Sequence, residues 1–274
     1  MNISFTLDGN LLNVSGEYLI ETITRLDKNN YINGIEFLVN RCDNHVKTYL
    51  TKFASLCKRY NFKLNFKGIF LDLDLKEHIK FLEMYNSISN ILEEKINITY
   101  SSCLSRSLET SISETISMYI SLISYVTENK LNLNISIENL EYLNRPSIKD
   151  IITDILPNVY KLKLSYNIGH EALIGFCEYK LPDVQVNNAL ETNSNIIENI
   201  TNIYLHDNDT IYAHLGFNYG NIDLYEVKDF INSNNYTNQI TVELDFNKLK
   251  GNTIEEKLTA YVIEVNKVML IIKH

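Results

Sequence analysis

Residues 204–223 read Tyr204-Leu205-His206-Asp207-Asn208-Asp209, then Thr210-Ile211-Tyr212-Ala213-His214, then Leu215-Gly216-Phe217-Asn218-Tyr219-Gly220-Asn221-Ile222-Asp223. A β-branched run, Asn202–His206, leads into this stretch, and an amphipathic pattern over 223–234 follows it. The polar residues therefore gather where a strand ends and before the next helix begins. Parallel β/α folds build their sites at that end of their strands.

The same alternation repeats in both directions along the chain. Strands are expected at Ile3–Leu7, Gly34–Val39, Phe62–Leu71, Ile96–Tyr100, Asn134–Glu138, Lys161–Ser165, Asn202–His206 and Gln239–Asp245. Amphipathic stretches near 16–28, 44–60, 75–94, 108–129, 147–156, 170–199 and 223–234 separate them, and 254–268 follows the last. Ser107 stands where its hydroxyl can cap the helix that starts there. About eight strand–helix units imply parallel pairing with right-handed crossovers. Eight such units close into an α/β (β/α)8 TIM barrel, and an open doubly wound sheet is the alternative. No glycine-rich nucleotide loop supports the open sheet. Residues 1–274 are expected to form a single TIM-barrel domain, close to the ~250 residues usual for that fold.

Composition narrows the function. The chain has 274 residues, a net charge of −9 and no run of Lys or Arg. A DNA-repair role is disfavoured, because phosphate binding calls for a basic patch. Cys42, Cys57, Cys103 and Cys177 are scattered without a C-x-x-C pair and read as reduced thiols. The N-terminus lacks the features of a signal peptide, and no apolar run is long enough to span a bilayer. A cytoplasmic protein with no membrane and no nucleic-acid partner is expected. Whether it forms a homodimer is left open.

Alternation then selects candidate site residues. Asn134, Ser136 and Glu138 share one face of the fifth strand, while Ile135 and Ile137 face the helices. A carboxylate ending an apolar strand is costly unless paired or hydrated, which marks Glu138 for a site. Gln239, Thr241 and Glu243 share a face of the last strand in the same way.

The stretch from Tyr204 to Asp223 resembles the seventh-strand loop of the sugar isomerase/epimerase barrels related to xylose isomerase and to the apurinic endonucleases. That loop reads roughly H-L-H-D-N-D, then D-x-H, then G-x-G-N-I-D. Ile135-Ser-Ile-Glu-Asn139, Asn167-Ile-Gly-His170 and Gln239-Ile-Thr-Val-Glu243 resemble the family's fifth-, sixth- and eighth-strand motifs. The resemblance implies a divalent ion held by two Glu, one Asp and one His, with the two Glu also moving a proton on the substrate. Here both Glu remain, Glu138 and Glu243. Asn167 stands for the Asp, Tyr204 for the His, and Tyr212 for a further Asp. A two-residue slip would instead make His206 the ligand.

The expectation is therefore a sugar isomerase/epimerase-like protein with catalytic Glu138 and Glu243 and an altered metal site. Its substrate is a small carbohydrate or hydroxy-keto compound, contacted by Asn167, His170, Tyr204, His206, Tyr212 and His214. Any Mn, Co, Zn or Mg ion would use Glu138, Glu243 and His206, and the ion could be absent altogether. The alternative is an inactive barrel that binds a carbohydrate or a protein partner, with the tyrosines filling the metal cavity. A trinuclear phosphodiesterase is disfavoured, because Asn65-Phe-Lys67 and Thr99-Tyr-Ser101 supply no histidines.

Overall fold

The computed structural model of the chain describes residues 1–68, 74–103, 105–140, 145–170, 196–209, 212–217, 220 and 222–273. Eight parallel strands close into a barrel in sequence order: β1 (Asn2–Asp8), β2 (Gly34–Val39), β3 (Lys63–Gly68), β4 (Ile96–Ser101), β5 (Leu133–Glu138), β6 (Lys163–Asn167), β7 (Ile200–Leu205) and β8 (Gln239–Val242). Last strand meets first, with Asn2 opposite Gln239 and Phe5 opposite Val242. Helices α1 (Gly16–Leu26), α2 (Asn44–Tyr60), α3 (Leu75–Leu92), α4 (Leu108–Glu128), α5 (Ile148–Asp150), α6 (Leu224–Ser233) and α7 (Ile254–Lys273) lie on the outside. This is the (β/α)8 barrel, and the open sheet is excluded.

The helices start where side chains can satisfy their first amides. Asp43, Asp74, Ser107 and Asp223 accept from Val46, Glu77, Thr110 and Tyr225 backbone N–H groups respectively. Ser147 and Asp150 form a reciprocal capping box. Each such cap contributes about 1 kcal/mol. Among the described residues no helix is long and apolar enough to cross a membrane.

Three boundaries differ from expectation in ways that matter for the site. Strand β6 runs from Lys163 to Asn167, not from Lys161 to Ser165, and Lys161 adopts a left-handed φ of 70° that an extended strand does not accommodate. Asn167 is thereby a barrel residue. Strand β8 stops at Val242, so Glu243 sits one step above it, its N–H still donating to the Leu205 carbonyl at 2.9 Å. Residues 147–156 form the short turn α5 followed by a wide helical turn, Ile151–Ile155. The expected helix over 170–199 falls largely outside the described residues, as do 69–71 at the end of the expected third strand.

Apolar strand residues such as Phe5, Phe37, Phe66 and Ile137 pack against the helices and form the hydrophobic core. The barrel interior is different. Branched apolar side chains commonly fill it, but here it is polar and cross-linked by hydrogen bonds. At the base, Asn65 donates to Gln239 at 2.6 Å, Gln239 to Ser4 at 2.9 Å, and Thr241 to Asn202 at 3.0 Å. One layer up, Thr99, Ser136 and Ser165 form a ring of hydroxyls 2.7–3.2 Å apart. Buried polar groups are tolerated when paired in this way.

Glu36 belongs to this interior. Burial raises its pKa to about 8, against the opposing pull of Lys67 and the Tyr204 hydroxyl. The Tyr204 hydroxyl donates to Glu36 Oε2 at 2.6 Å and lies 3.0 Å from Thr99 Oγ1, whose own hydroxyl can donate to it.

The connection after β7 is pinned by Asp207. Its buried carboxylate accepts from the backbone N–H groups of Asn208 (2.9 Å), Gly220 (2.8 Å) and Ile222 (3.0 Å). Gly220 passes so close that a Cβ there would lie 1.8 Å from the Asn208 carbonyl oxygen. Much of the loop's signature is thus a folding device.

Two outcomes follow. Glu36→Gln keeps the shape and the neutral charge, so it should fold normally. In the wild type, the stability tied to Glu36 protonation is complete below its ordinary pKa of 4.5 and is lost as pH rises through about 8. The variant's advantage should therefore grow across that window, on the order of a few kcal/mol by denaturant melts. Asp207→Ala strips partners from buried amides and should cost about 2–4 kcal/mol by thermal or urea unfolding.

Candidate functional site

At the C-terminal mouth the centre is a lysine. Lys67, inward-facing on β3, places Nζ 2.7 Å from Glu138 Oε1 on β5 and 2.5 Å from Glu243 Oε1 beyond β8. The ammonium also lies over the Tyr204 ring, 4.4 Å from its centroid. Asn167 donates from Nδ2 to Glu138 Oε1 at 2.7 Å and to Glu243 Oε2 at 3.2 Å. The Asn167 carbonyl oxygen accepts the backbone N–H of His170 at 3.1 Å, which fixes the amide's orientation. All five side chains are buried.

Burial pulls the Lys67 ammonium down, but the carboxyl groups of Glu138 and Glu243 raise it, on balance, above the usual lysine range. The two carboxyls diverge. Burial pushes Glu138 up, overcoming Lys67, while for Glu243 burial also pushes up but is outweighed, chiefly by the Lys67 ammonium, so its pKa falls below the usual carboxylate range. Such a divided pair suits proton transfer.

Beside this pair stands a corner of three imidazoles. The rings of His170, His206 and His214 lie 4.2–5.2 Å apart, centroid to centroid. His170 Nδ1 pairs with the Asn139 carbonyl oxygen at 3.0 Å, and His214 Nδ1 with that of Glu243 at 3.3 Å. The Nε2 atoms of the two rings face each other at 3.4 Å, within hydrogen-bond reach. The Nε2 of His206 is buried without a hydrogen-bond partner. Its ring lies flat on Gly169, where a Cβ would come within 2.4 Å of Cε1, so only glycine fits before His170. His214 adopts a left-handed φ of 60°, a conformation histidine tolerates better than most residues.

A divalent ion is therefore tested against two places. Between Glu138 and Glu243 it does not fit these side chains: an ammonium occupies the gap, Asn167 presents N–H groups, and Tyr204 turns its hydroxyl toward Glu36. At the imidazole corner the donors do fit. One ligand atom each from His170, His206, His214 and Glu243 converges within 4.8 Å. Tetrahedral coordination at ~2.0–2.1 Å separates nitrogens by about 3.3 Å, close to the observed His170–His214 spacing. Burial keeps His170 (pKa about 3) and His206 neutral, as ligation requires.

Of the residues expected from the sequence, Glu138, Glu243, Asn167, His170, His206 and His214 come together. Tyr204 sits below them in the barrel interior. Tyr212 stands apart: it is 55 % exposed, with its ring 5.2 Å from Lys248 Nζ. The expected ligand set of Glu138, Glu243 and His206 is divided, because His206 groups with the other imidazoles while Glu138 faces Lys67. Lys67 itself was missed. The signal that could have found it is the alternation that turns Leu64 and Phe66 outward and Asn65 and Lys67 inward.

No protein-family model matches this sequence, and no curated protein matches it. Solved structures do resemble it over nearly the full length. A xylose isomerase domain containing protein from Salmonella typhimurium superposes with a TM-score of 0.67 at 11% identity, covering 98% of this chain and 97% of its own. A sugar phosphate isomerase/epimerase from Parabacteroides distasonis gives 0.59 at 12% identity, covering 97% and 94%. Endonuclease IV from Thermus thermophilus gives 0.60 at 10% identity, covering 98% and 99%. Likeness at such low identity carries the architecture and not the activity: the chain has the xylose isomerase-like (β/α)8 barrel fold.

Proposed function

We propose that this protein is a sugar isomerase/epimerase-like enzyme that moves a proton on a small carbohydrate or hydroxy-keto compound at the barrel mouth. The observation that carries the reading is the Glu138–Glu243 pair, whose nearest oxygens are separated by no more than two hydrogen-bond lengths through Lys67. Glu243 has the more positive surroundings and is the ionised member. It accepts the proton from a carbon bearing a hydroxyl, next to the carbonyl. Glu138, the more enclosed carboxyl, returns a proton to the neighbouring carbon or to the opposite face. Imidazole and amide groups around the pair suit the hydroxyls of a carbohydrate.

His170, His206, His214 and Glu243 would hold a divalent ion such as Zn, Co or Mn, which supplies Lewis-acid polarisation of substrate oxygens when bound. Within this reading the protein works in the cytoplasm, as a single domain, on a small-molecule ligand and not on nucleic acid. A second reading, a barrel that binds a carbohydrate without turning it over, is favoured by Lys67 filling the space between the carboxylates.

Incubation with a panel of aldoses, ketoses and their phosphates in D2O separates the two. Exchange of the proton next to the carbonyl, followed by NMR, is expected in the wild type. It should fall about 10²–10⁴-fold in Glu138→Gln and Glu243→Gln. Saturable binding with no exchange for any bound sugar would establish the second reading. Independently, Co(II) titration should give the visible bands of a four-coordinate, nitrogen-rich site, and His206→Gln should weaken affinity at least ~10-fold.

A further inference from the structure

We infer that Lys67 is a built-in cation that takes the place of a divalent ion between Glu138 and Glu243 and keeps metal out of that pair. Three features of the mouth converge on this. First, the ammonium is saturated. Its three N–H bonds have three partners at hand: Glu138 Oε1, Glu243 Oε1 and the face of the Tyr204 ring. Second, the surroundings are arranged to receive a cation from the protein and not from solution. Asn167 directs N–H groups at both carboxylates, where an acidic oxygen would be needed to ligate. Its own carbonyl oxygen is engaged by the His170 backbone. Third, Lys67 is about nine-tenths buried, on a strand whose ladder with β2 and β4 fixes where its stem enters.

Adding a divalent ion between the carboxylates would bring it against the ammonium, and like charges at that range in a buried site repel strongly. The ion would have to expel Lys67, and a buried ammonium stripped of its partners is costly. The charge that the two Glu need is thus part of the polypeptide. Lys67 holds this place whether or not the pair moves a proton, and whether or not the imidazole corner binds an ion of its own.

The test is Mn(II) binding, followed by the EPR signal of the free ion and by melting temperature with and without MnCl2. Five proteins are compared: wild type, Glu138→Gln, Lys67→Ala, Lys67→Ala/Glu138→Gln and Lys67→Arg. Whatever Mn(II) the wild type takes up should be unchanged by Glu138→Gln. Lys67→Ala should melt lower by on the order of 5–10 °C, gain one Mn(II) and recover stability with it. Both the gain and the recovery should vanish in the double variant. Lys67→Arg, which keeps the charge, should gain no ion. Bound Mn(II) in the wild type that Glu138→Gln removes would overturn the inference, as would a folded Lys67→Ala that takes up no additional Mn(II). Should Lys67→Ala fail to fold, the comparison of wild type with Glu138→Gln still decides. Failure of the sugar exchange experiment leaves each of these readouts intact.

Discussion

Eight strands that turn alternate residues into a closed barrel create an interior that little water can reach. Every polar group sent there must find a partner among the other strands. This chain sends in almost nothing else, and its most demanding member is the Lys67 ammonium. Its contacts with Glu138 and Glu243 tie β3 to β5 and to the end of β8. Breaking one side of such a buried pair typically costs about 3–5 kcal/mol. The rest of the interior follows from the same requirement: hydroxyl rings in the middle, an amide and hydroxyl network at the base, and a protonated Glu36 beneath Tyr204.

The site inherits its order from that interior. Asn167 reaches both carboxylates because β6 extends two residues beyond its expected end. The imidazoles converge because Gly169 leaves room for the His206 ring and because Asp207 gathers the loop that carries His214. The same loop residues that made the fold recognisable mostly serve the backbone. Only His206 and His214 point to chemistry.

The structure also separates two roles that the sequence seemed to merge. Glu138, Glu243 and His206 were expected to share one ion. They form two neighbouring centres instead, one already charge-balanced by Lys67 and one presenting three imidazole donors. Glu243 belongs to both, with Oε1 on Lys67 and its carboxylate 3.8 Å from the His214 ring.

How much was legible depended on the range of the interaction. Strand–helix alternation is local, so the eight-fold barrel and the inward face of Glu138, Thr241 and Glu243 could be read from periodicity alone. The helix cap at Ser107 is local too. Strand ends were less readable, since nothing in the residue type of Lys161 announces its left-handed φ of 70°. The partner of a buried charge was not readable at all. Lys67 lies 71 residues from Glu138 and 176 from Glu243 along the chain, and only closure of the barrel brings the three together. The sequence by itself determined which side chains face inward, because alternation is a property of each strand. Tertiary structure alone decided that a lysine, and not a metal ion, stands between the two glutamates. Charge pairing across a barrel depends on strand register and closure, which no short window of residues contains.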